Sequence, residues 1–148
     1  NKWDLEKNKK EKISILKDKI KLSLPQFGDI SIVTISALKN KGLDKLKKAV
    51  VSAKENWNKR FSTAKLNKWL SIKTAQHPPP MLKGKRLKLR YITQIKTRPP
   101  NFLIFSSSLD IPKNYRKFLI NGLRDQFDLK NVPIRLGFRV GENPYVQN

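Results

Sequence analysis

The chain has 148 residues, of which 33 are Lys or Arg and 11 are Asp or Glu, giving a formal net charge of +22. This length allows one domain, or one domain and part of another, and excludes a large multidomain enzyme. The charge surplus predicts an anionic partner, although a compositional bias towards Lys accounts for part of it. The absence of Cys excludes disulfides and thiolate metal sites and is typical of a reducing cytoplasm.

Hydrophobic runs in the sequence are short, the longest being residues 102–105. A bilayer-spanning helix needs ~20 apolar residues, so the sequence predicts a cytoplasmic protein without a membrane partner. The two halves of the chain differ in charge. Residues 1–60 carry 16 basic and 7 acidic groups, whereas residues 61–148 carry 17 basic and only 4 acidic groups. The second half is therefore the better candidate for an anion-binding surface.

Two amphipathic helices are predicted in the first half, because apolar residues recur there at helical spacing. The first helix ends at Pro25 and Gly28, and the second reaches Trp57. Between them the β-branched run 30–35 predicts a short strand ending at Ser36. A strand without a neighbour leaves its backbone hydrogen bonds unsatisfied. We therefore expect residues 1–59 to be the end of a larger α/β domain.

The second half begins with a helix and an alternating strand. Ser62 or Thr63 is a plausible N-cap for the helix, which ends before the proline run 78–80. From Arg86 onwards basic and apolar residues alternate, which indicates a strand. In this pattern Leu87, Leu89 and Tyr91 point one way, and the basic residues between them point the other way.

A second strand, a helix and a third strand complete the order α-β-β-α-β. A turn at 98–100 precedes the strand 101–106, Pro112 opens the helix, and Pro133 opens the third strand. Two helices and three short strands make a two-layer sandwich with both helices on one face of the sheet. The predicted fold class is therefore α+β.

The first four residues, Asn-Lys-Trp-Asp, have the form NKxD of the guanine-reading loop in P-loop GTPases. In such a loop the carboxylate of Asp4 can accept two N–H bonds from one edge of guanine, and the Lys2 stem can cover the base. A Ser-Ala pair after the predicted strand matches the second loop of that class, whose backbone N–H binds the guanine oxygen. The predicted guanine-binding residues are Asn1, Lys2, Asp4, Ser36 and Ala37. The Gly-rich Walker A loop, which holds the phosphates and Mg²⁺, is absent from the sequence.

Several further segments form a series in a fixed order. They are residues 87–94, 98–105, 115–119 with 123–124, and 133–136 with 138–139. Together with the two nucleotide loops, this series resembles the C-terminal end of the bacterial tandem-GTPase family called Der or EngA. That family has two successive GTPase domains followed by a KH-like domain, and it acts in assembling the large ribosomal subunit.

The resemblance implies that residues 1–59 end the second GTPase domain and that residues 60–148 form the KH-like domain. It implies a full-length parent that hydrolyses GTP with Mg²⁺, whereas this chain is expected to hold no cofactor, no metal and no catalytic residue. The implied partners are ribosomal RNA of the large subunit and the parent's own GTPase domains. Asn131 stands where the family commonly has Gly, and the GxxG loop of ordinary KH domains is absent.

Basic residues on the predicted strands fall on the sheet face away from the helices. They are Arg86, Lys88, Arg90, Arg135 and Arg139. Such a face can contact RNA phosphates, dock on a GTPase domain and regulate it, or simply be solvated, and the sequence leaves all three open. Because Phe and Tyr residues fall mostly on the inward side, phosphate contact is favoured over base stacking.

Three remaining features are interpreted as structural. His77 has no second ligand and no nucleophile pattern near it, and Trp57 and Trp69 are expected in the core. The acidic residues of the second half are expected to be cap or surface groups and not a metal cluster. They are Asp110, Asp125, Asp128 and Glu142.

We predict that this chain neither hydrolyses GTP nor binds it at physiological concentrations. The phosphate site supplies most of a nucleotide's contacts, and the sequence has no Walker A loop to provide it. Calorimetric titration with GTP should therefore give no saturable binding heat. A measured affinity in the low-micromolar range would contradict the prediction.

Overall fold

The computed structural model describes residues 1–24, 27, 30–82 and 84–141. The predicted helix end at Pro25 and Gly28 and the predicted surface residue Glu142 lie outside these residues. Within them the chain forms four helices and five strands: α1 (Lys9–Ser23), α2 (Leu43–Asn58), α3 (Thr63–Gln76), β1 (Met81–Leu82), β2 (Lys85–Arg86), β3 (Leu89–Lys96), β4 (Asn101–Ser106), α4 (Lys113–Gln126) and β5 (Arg135–Val140). The predicted order α-β-β-α-β is confirmed, with an unpredicted β1–β2 hairpin before β3.

Strands β3, β4 and β5 form a mixed sheet with β4 in the centre. β3 runs antiparallel to β4, and β5 runs parallel to it. Helices α3 and α4 contribute to one core with the sheet, so the predicted two-layer α+β sandwich is confirmed. Fully buried residues of that core are Leu66, Ile92, Phe102, Ile104, Leu119, Leu123, Leu129 and Val132. None of the described helices is long and apolar enough to cross a membrane.

An asparagine side chain satisfies backbone hydrogen bonds on the edge of β3 that faces away from β4. Asn67 on α3 accepts a hydrogen bond from the Ile92 amide at 3.0 Å and donates to the Ile92 carbonyl at 2.9 Å. The same amide group donates to the Thr63 carbonyl at 2.8 Å. The Asn67 side chain therefore takes the place that the peptide group of a neighbouring strand would occupy.

A glutamine side chain joins the start of the domain to the same strand. Gln94 on β3 is 4% exposed and accepts a hydrogen bond from the Phe61 amide at 2.9 Å. It also donates to the Lys59 carbonyl at 3.0 Å. Ser62 then caps α3 by accepting from the Lys65 amide, as the sequence predicted. The position of α3 over the sheet is thus set at its first turn.

The first segment has little core of its own. Among its described residues up to position 59, only Ser36 and Asn56 are buried. The predicted strand 30–35 is wrong, because no described strand lies beside it and its residues remain irregular. The core position predicted for Trp57 is also wrong: its side chain is 37% exposed. The buried residue of α2 is its neighbour Asn56.

Residues 128–131, in the loop 127–134 between α4 and β5, contact the first segment. The Ser31 amide donates to Asn131 Oδ1 at 2.7 Å, and Asn56 donates to the Lys130 carbonyl at 3.0 Å. Asn131 has a φ of 62°, a left-handed conformation that Asn tolerates better than most residues. The turn therefore keeps the backbone conformation that a Gly would adopt, and the Asn side chain adds a contact that Gly lacks.

Trp69 and His77 have the structural roles that the sequence predicted. Trp69 is 5% exposed and belongs to the core. The His77 ring lies beside those of Tyr115 and Phe118, at centroid distances of 5.8 and 4.7 Å. The Tyr115 hydroxyl donates to the His77 carbonyl at 3.0 Å. These contacts join the end of α3 to α4.

Replacing Asn67 by Leu should lower the free energy of unfolding by about 2 to 3 kcal/mol, because both backbone groups of the buried Ile92 lose their partner. Asn114→Leu on the exposed side of α4 is the matched control and should change stability by less than ~0.5 kcal/mol. Urea denaturation measures both. Equal effects of the two variants would contradict the role of Asn67.

Candidate nucleic-acid interface

An extra residue in β3, Arg90, changes the face on which the following side chains lie. Leu89 and Tyr91 are two positions apart on β3 but pair with adjacent residues of β4, which defines a β-bulge. Leu89 packs against the core, whereas Tyr91 pairs with Phe105. Phe105 follows the buried core residue Ile104 and so points to the opposite face. Tyr91 therefore lies on the sheet face away from the helices.

This position corrects the prediction that Tyr91 shares a face with Leu87 and Leu89. The Tyr91 and Phe105 rings meet edge to face, with centroids 5.9 Å apart and planes at 61°. Both side chains are 8% exposed. Base stacking is still not favoured here, but the reason is that these rings are buried and not that they point inward.

The outer face of the sheet is not uniformly basic, which also corrects the sequence prediction. The described outward positions of β3 and β4 carry a mixture of aromatic, apolar, polar and basic side chains, and one of them, Leu103, lies over Gly137. Arg135 and Arg139 lie on this face along β5, with Arg139 paired to Phe105. Arg86 belongs to β2, outside the three-stranded sheet. The five predicted basic residues therefore form two groups.

The residues Arg86, Lys88 and Arg90 line a cleft of about 830 Å³. It lies beside the β1–β2 hairpin and the loop that follows β4. Its other described lining residues are Leu82, Lys85, Leu87, Ser107, Ser108 and Asp110. We call it the basic cleft, because four of these nine residues are Lys or Arg and only one is acidic.

Two serine hydroxyls of the basic cleft are oriented by the backbone. Ser107 Oγ accepts a hydrogen bond from the Lys88 amide at 3.0 Å, and Ser108 Oγ accepts from the Asp110 amide at 3.1 Å. Each hydroxyl therefore keeps its own proton to donate. The buried Ser106 donates to the Ser108 carbonyl at 2.6 Å and fixes this loop. Sequence reasoning missed these residues, although three consecutive Ser at the end of an apolar strand indicate a turn.

The predicted guanine-binding residues meet in a second place, at the N-terminal loop. Asn1 Oδ1 accepts hydrogen bonds from the Lys2 backbone amide at 2.7 Å and from the Ala37 backbone amide at 3.1 Å. A hydrogen bond from the Ser36 side chain lowers the pKa of Asp4, and nearby Lys residues lower it further. The structure thus brings the NKxD segment and the Ser36-Ala37 pair together. Lys2 is exposed, with a left-handed backbone.

Comparison with known proteins identifies the second half of the chain. Residues 60–139 match the family described as KH-domain-like of EngA bacterial GTPase enzymes, C-terminal. The chain belongs to this family. The matched residues run from the start of α3 into β5, so this KH-like domain carries the basic cleft as well as Arg135 and Arg139.

The chain is similar to several curated proteins named GTPase Der. The one from Cereibacter sphaeroides is 49% identical over 140 residues, which are 94% of this chain and 29% of the relative. The one from Ruegeria sp. (strain TM1040) is 48% identical over 148 residues, which cover 98% of this chain and 30% of the relative. The one from Rhizobium meliloti (strain 1021) is 47% identical over 146 residues, which cover 98% of this chain and 31% of the relative. The chain thus spans about 30% of the length of these relatives.

Acidic side chains of the KH-like domain are scattered over its surface. Asp128 pairs with Lys59 and Lys130 at 3.7 and 3.3 Å. Asp125 is exposed on α4, and Asp110 lines the basic cleft. The described residues contain no group of three or more His, Cys, Asp or Glu side chains that could hold a metal ion.

Ser36→Ala should raise the pKa of Asp4 towards the ordinary value, because the variant removes the largest cause of its depression. In the unchanged chain the stability linked to this lowered pKa is present above the ordinary pKa and is lost as the pH falls through the lowered one. NMR titration of the Asp4 carboxyl carbon measures the pKa. Ser52→Ala, on the exposed side of α2, is the control. An unchanged pKa in the Ser36 variant would show that the two side chains do not interact.

Proposed function

We propose that this chain is the C-terminal region of a cytoplasmic ribosome-biogenesis GTPase, and that its KH-like domain contacts ribosomal RNA during assembly of the large subunit. The name GTPase Der of its relatives supports a parent that hydrolyses GTP with Mg²⁺. Residues 1–59 would complete the second GTPase domain of that parent. Exposed apolar side chains support this part of the proposal, since Leu22 is 83% and Leu38 is 87% exposed.

The observation that carries the RNA proposal is the composition of the basic cleft. Four cationic side chains and two hydroxyl donors line one concave surface. Phosphate oxygens accept hydrogen bonds and carry negative charge, so they match this set of groups. Arg135 and Arg139 extend the positive potential along β5, and the chain as a whole carries +22. Contacts of this kind bind RNA with little sequence preference.

Docking on the GTPase domain is the second candidate function, and a different set of contacts favours it. The α4–β5 loop receives hydrogen bonds from Ser31, Asn56 and Lys59. Residues 31–37 lead directly from the Ser31 contact to the Ser36-Ala37 loop at the guanine-reading corner. A nucleotide bound in the parent could therefore influence the KH-like domain through this short segment.

The two proposed contacts use opposite ends of the central strand. The α4–β5 loop precedes β5, whose first residue pairs with Asn101 at the start of β4. The basic cleft lies at the other end, where Ser107 follows β4. Six residues of strand separate the two ends by roughly 20 Å. Docking through the loop thus leaves the cleft open to RNA, and the two functions are compatible.

The affinity of this chain for a fluorescein-labelled oligoribonucleotide should fall with salt concentration. If five phosphates are neutralised, the slope of log K against log salt is roughly −3.5 to −4.5, at ~0.7 to 0.9 per phosphate. The double variant Arg86→Gln and Lys88→Gln should flatten the slope by roughly 1.4 to 1.8, because two phosphate contacts are lost. Fluorescence anisotropy over a series of KCl concentrations measures both affinity and slope.

The matched control neutralises two lysines of α3, Lys65→Gln and Lys68→Gln, which are exposed outside the basic cleft. This variant should keep most of the salt slope. If the α3 variant abolishes binding while the cleft variant leaves affinity and slope unchanged, RNA binds the helical face and the proposed site is wrong. If the unchanged chain does not bind RNA at low salt, docking on the GTPase domain is the remaining function.

A further inference from the structure

Asp110 is an exception to the charge of the basic cleft. It is the one acidic side chain among the described lining residues, beside two Arg and two Lys. A carboxylate repels the phosphate groups that the cleft is proposed to bind. Among the described residues Asp110 makes no ion pair, since the ion pairs found involve other acids. Its negative charge is therefore not used to neutralise a neighbouring cation.

We propose that the basic cleft binds the ribose-phosphate backbone of RNA and that Asp110 accepts a hydrogen bond from a ribose 2′-hydroxyl. This inference rests on the proposed RNA contact and deepens it, because it makes Asp110 the residue that distinguishes RNA from DNA. An ionised carboxylate accepts hydrogen bonds and donates none. In the nucleic-acid backbone the 2′-hydroxyl is a donor that RNA has and DNA lacks.

Asp110 is exposed, but buried residues on both sides of it, Ser106 and Ile111, hold the backbone of its loop. Its own amide donates to Ser108 Oγ at 3.1 Å, and the Ser108 carbonyl accepts from Ser106, which is 0% exposed. On the other side, Ile111 is 9% exposed and belongs to the core. The carboxylate is thus presented from an anchored backbone, which lowers the entropy lost when it binds a ligand.

The other polar groups of the cleft suit the phosphate that adjoins the same ribose. Ser107 and Ser108 each have a hydroxyl proton to donate, and Arg86 and Lys88 supply positive charge. A cleft of about 830 Å³ lies within the usual range for small-ligand sites, so it has room for a ribose with its phosphate. One concave surface therefore offers donors to the phosphate and an acceptor to the sugar.

The test compares RNA, DNA and 2′-O-methyl RNA of one sequence, each bound to this chain at the same salt concentration. The unchanged chain should prefer RNA to both other probes. Asp110→Ala should lower the RNA-to-DNA affinity ratio by about tenfold, because it removes a hydrogen bond to a charged acceptor. DNA should bind this variant slightly more tightly, since a negative charge has gone.

Asp125→Ala is the matched control, because it removes the same charge from an exposed position on α4. It should strengthen RNA and DNA binding equally and leave their ratio unchanged. Circular dichroism checks that both variants remain folded. If the unchanged chain binds RNA but Asp110→Ala leaves the ratio unaltered, the 2′-hydroxyl contact is refuted while the RNA contact stands. If the unchanged chain binds neither nucleic acid, the proposed function itself fails.

Discussion

The bulge at Arg90 is the constraint on which the candidate interface depends. Arg90 is the extra residue of this bulge, because Leu89 and Tyr91 pair with adjacent residues of β4. Leu89 can therefore pack against the core while Tyr91, two positions later, packs against Phe105 on the outer face. Bulges increase the local twist of a strand and redirect its side chains. The basic residues up to and including the bulged Arg90 line a cleft at one end of the sheet, whereas Arg139 lies two strands away beside Phe105.

Side-chain amides hold the helical layer on the sheet where the backbone cannot. Asn67 hydrogen-bonds to both backbone groups of Ile92, and Gln94 joins the chain entering α3 to β3. These bonds are buried or partly buried, so losing one partner leaves a desolvated polar group. The amides therefore add directional contacts to the apolar packing of α3 on the sheet.

Periodicity predicted the elements of the KH-like domain but not the local exceptions that shape the site. The alternation in 134–140 predicts the faces of β5 correctly, because that strand is regular. The alternation rule fails at Tyr91, because the extra residue Arg90 shifts the alternation by one position. The hydrophobic pattern of the sequence does not reveal this shift. Asp110 was predicted only as a surface or cap group, because a loop brings it to the cleft. The two motifs of the predicted guanine site, NKxD and Ser36-Ala37, do lie together in the structure, where the Ala37 amide donates to Asn1 Oδ1, but their role in binding guanine stays a prediction.

Communication between the predicted guanine-binding residues and the basic cleft would have to pass through packed structure. The two ends of β4 are roughly 20 Å apart, about twice the Debye length of ~8 Å at physiological salt. Solvent-exposed charges at the two ends of β4 are therefore largely screened from each other. The physical connection is the segment 31–37, the Asn131 turn and the strands β5 and β4, which form one hydrogen-bonded series. An RNA bound in the cleft would affect the first segment by shifting these contacts.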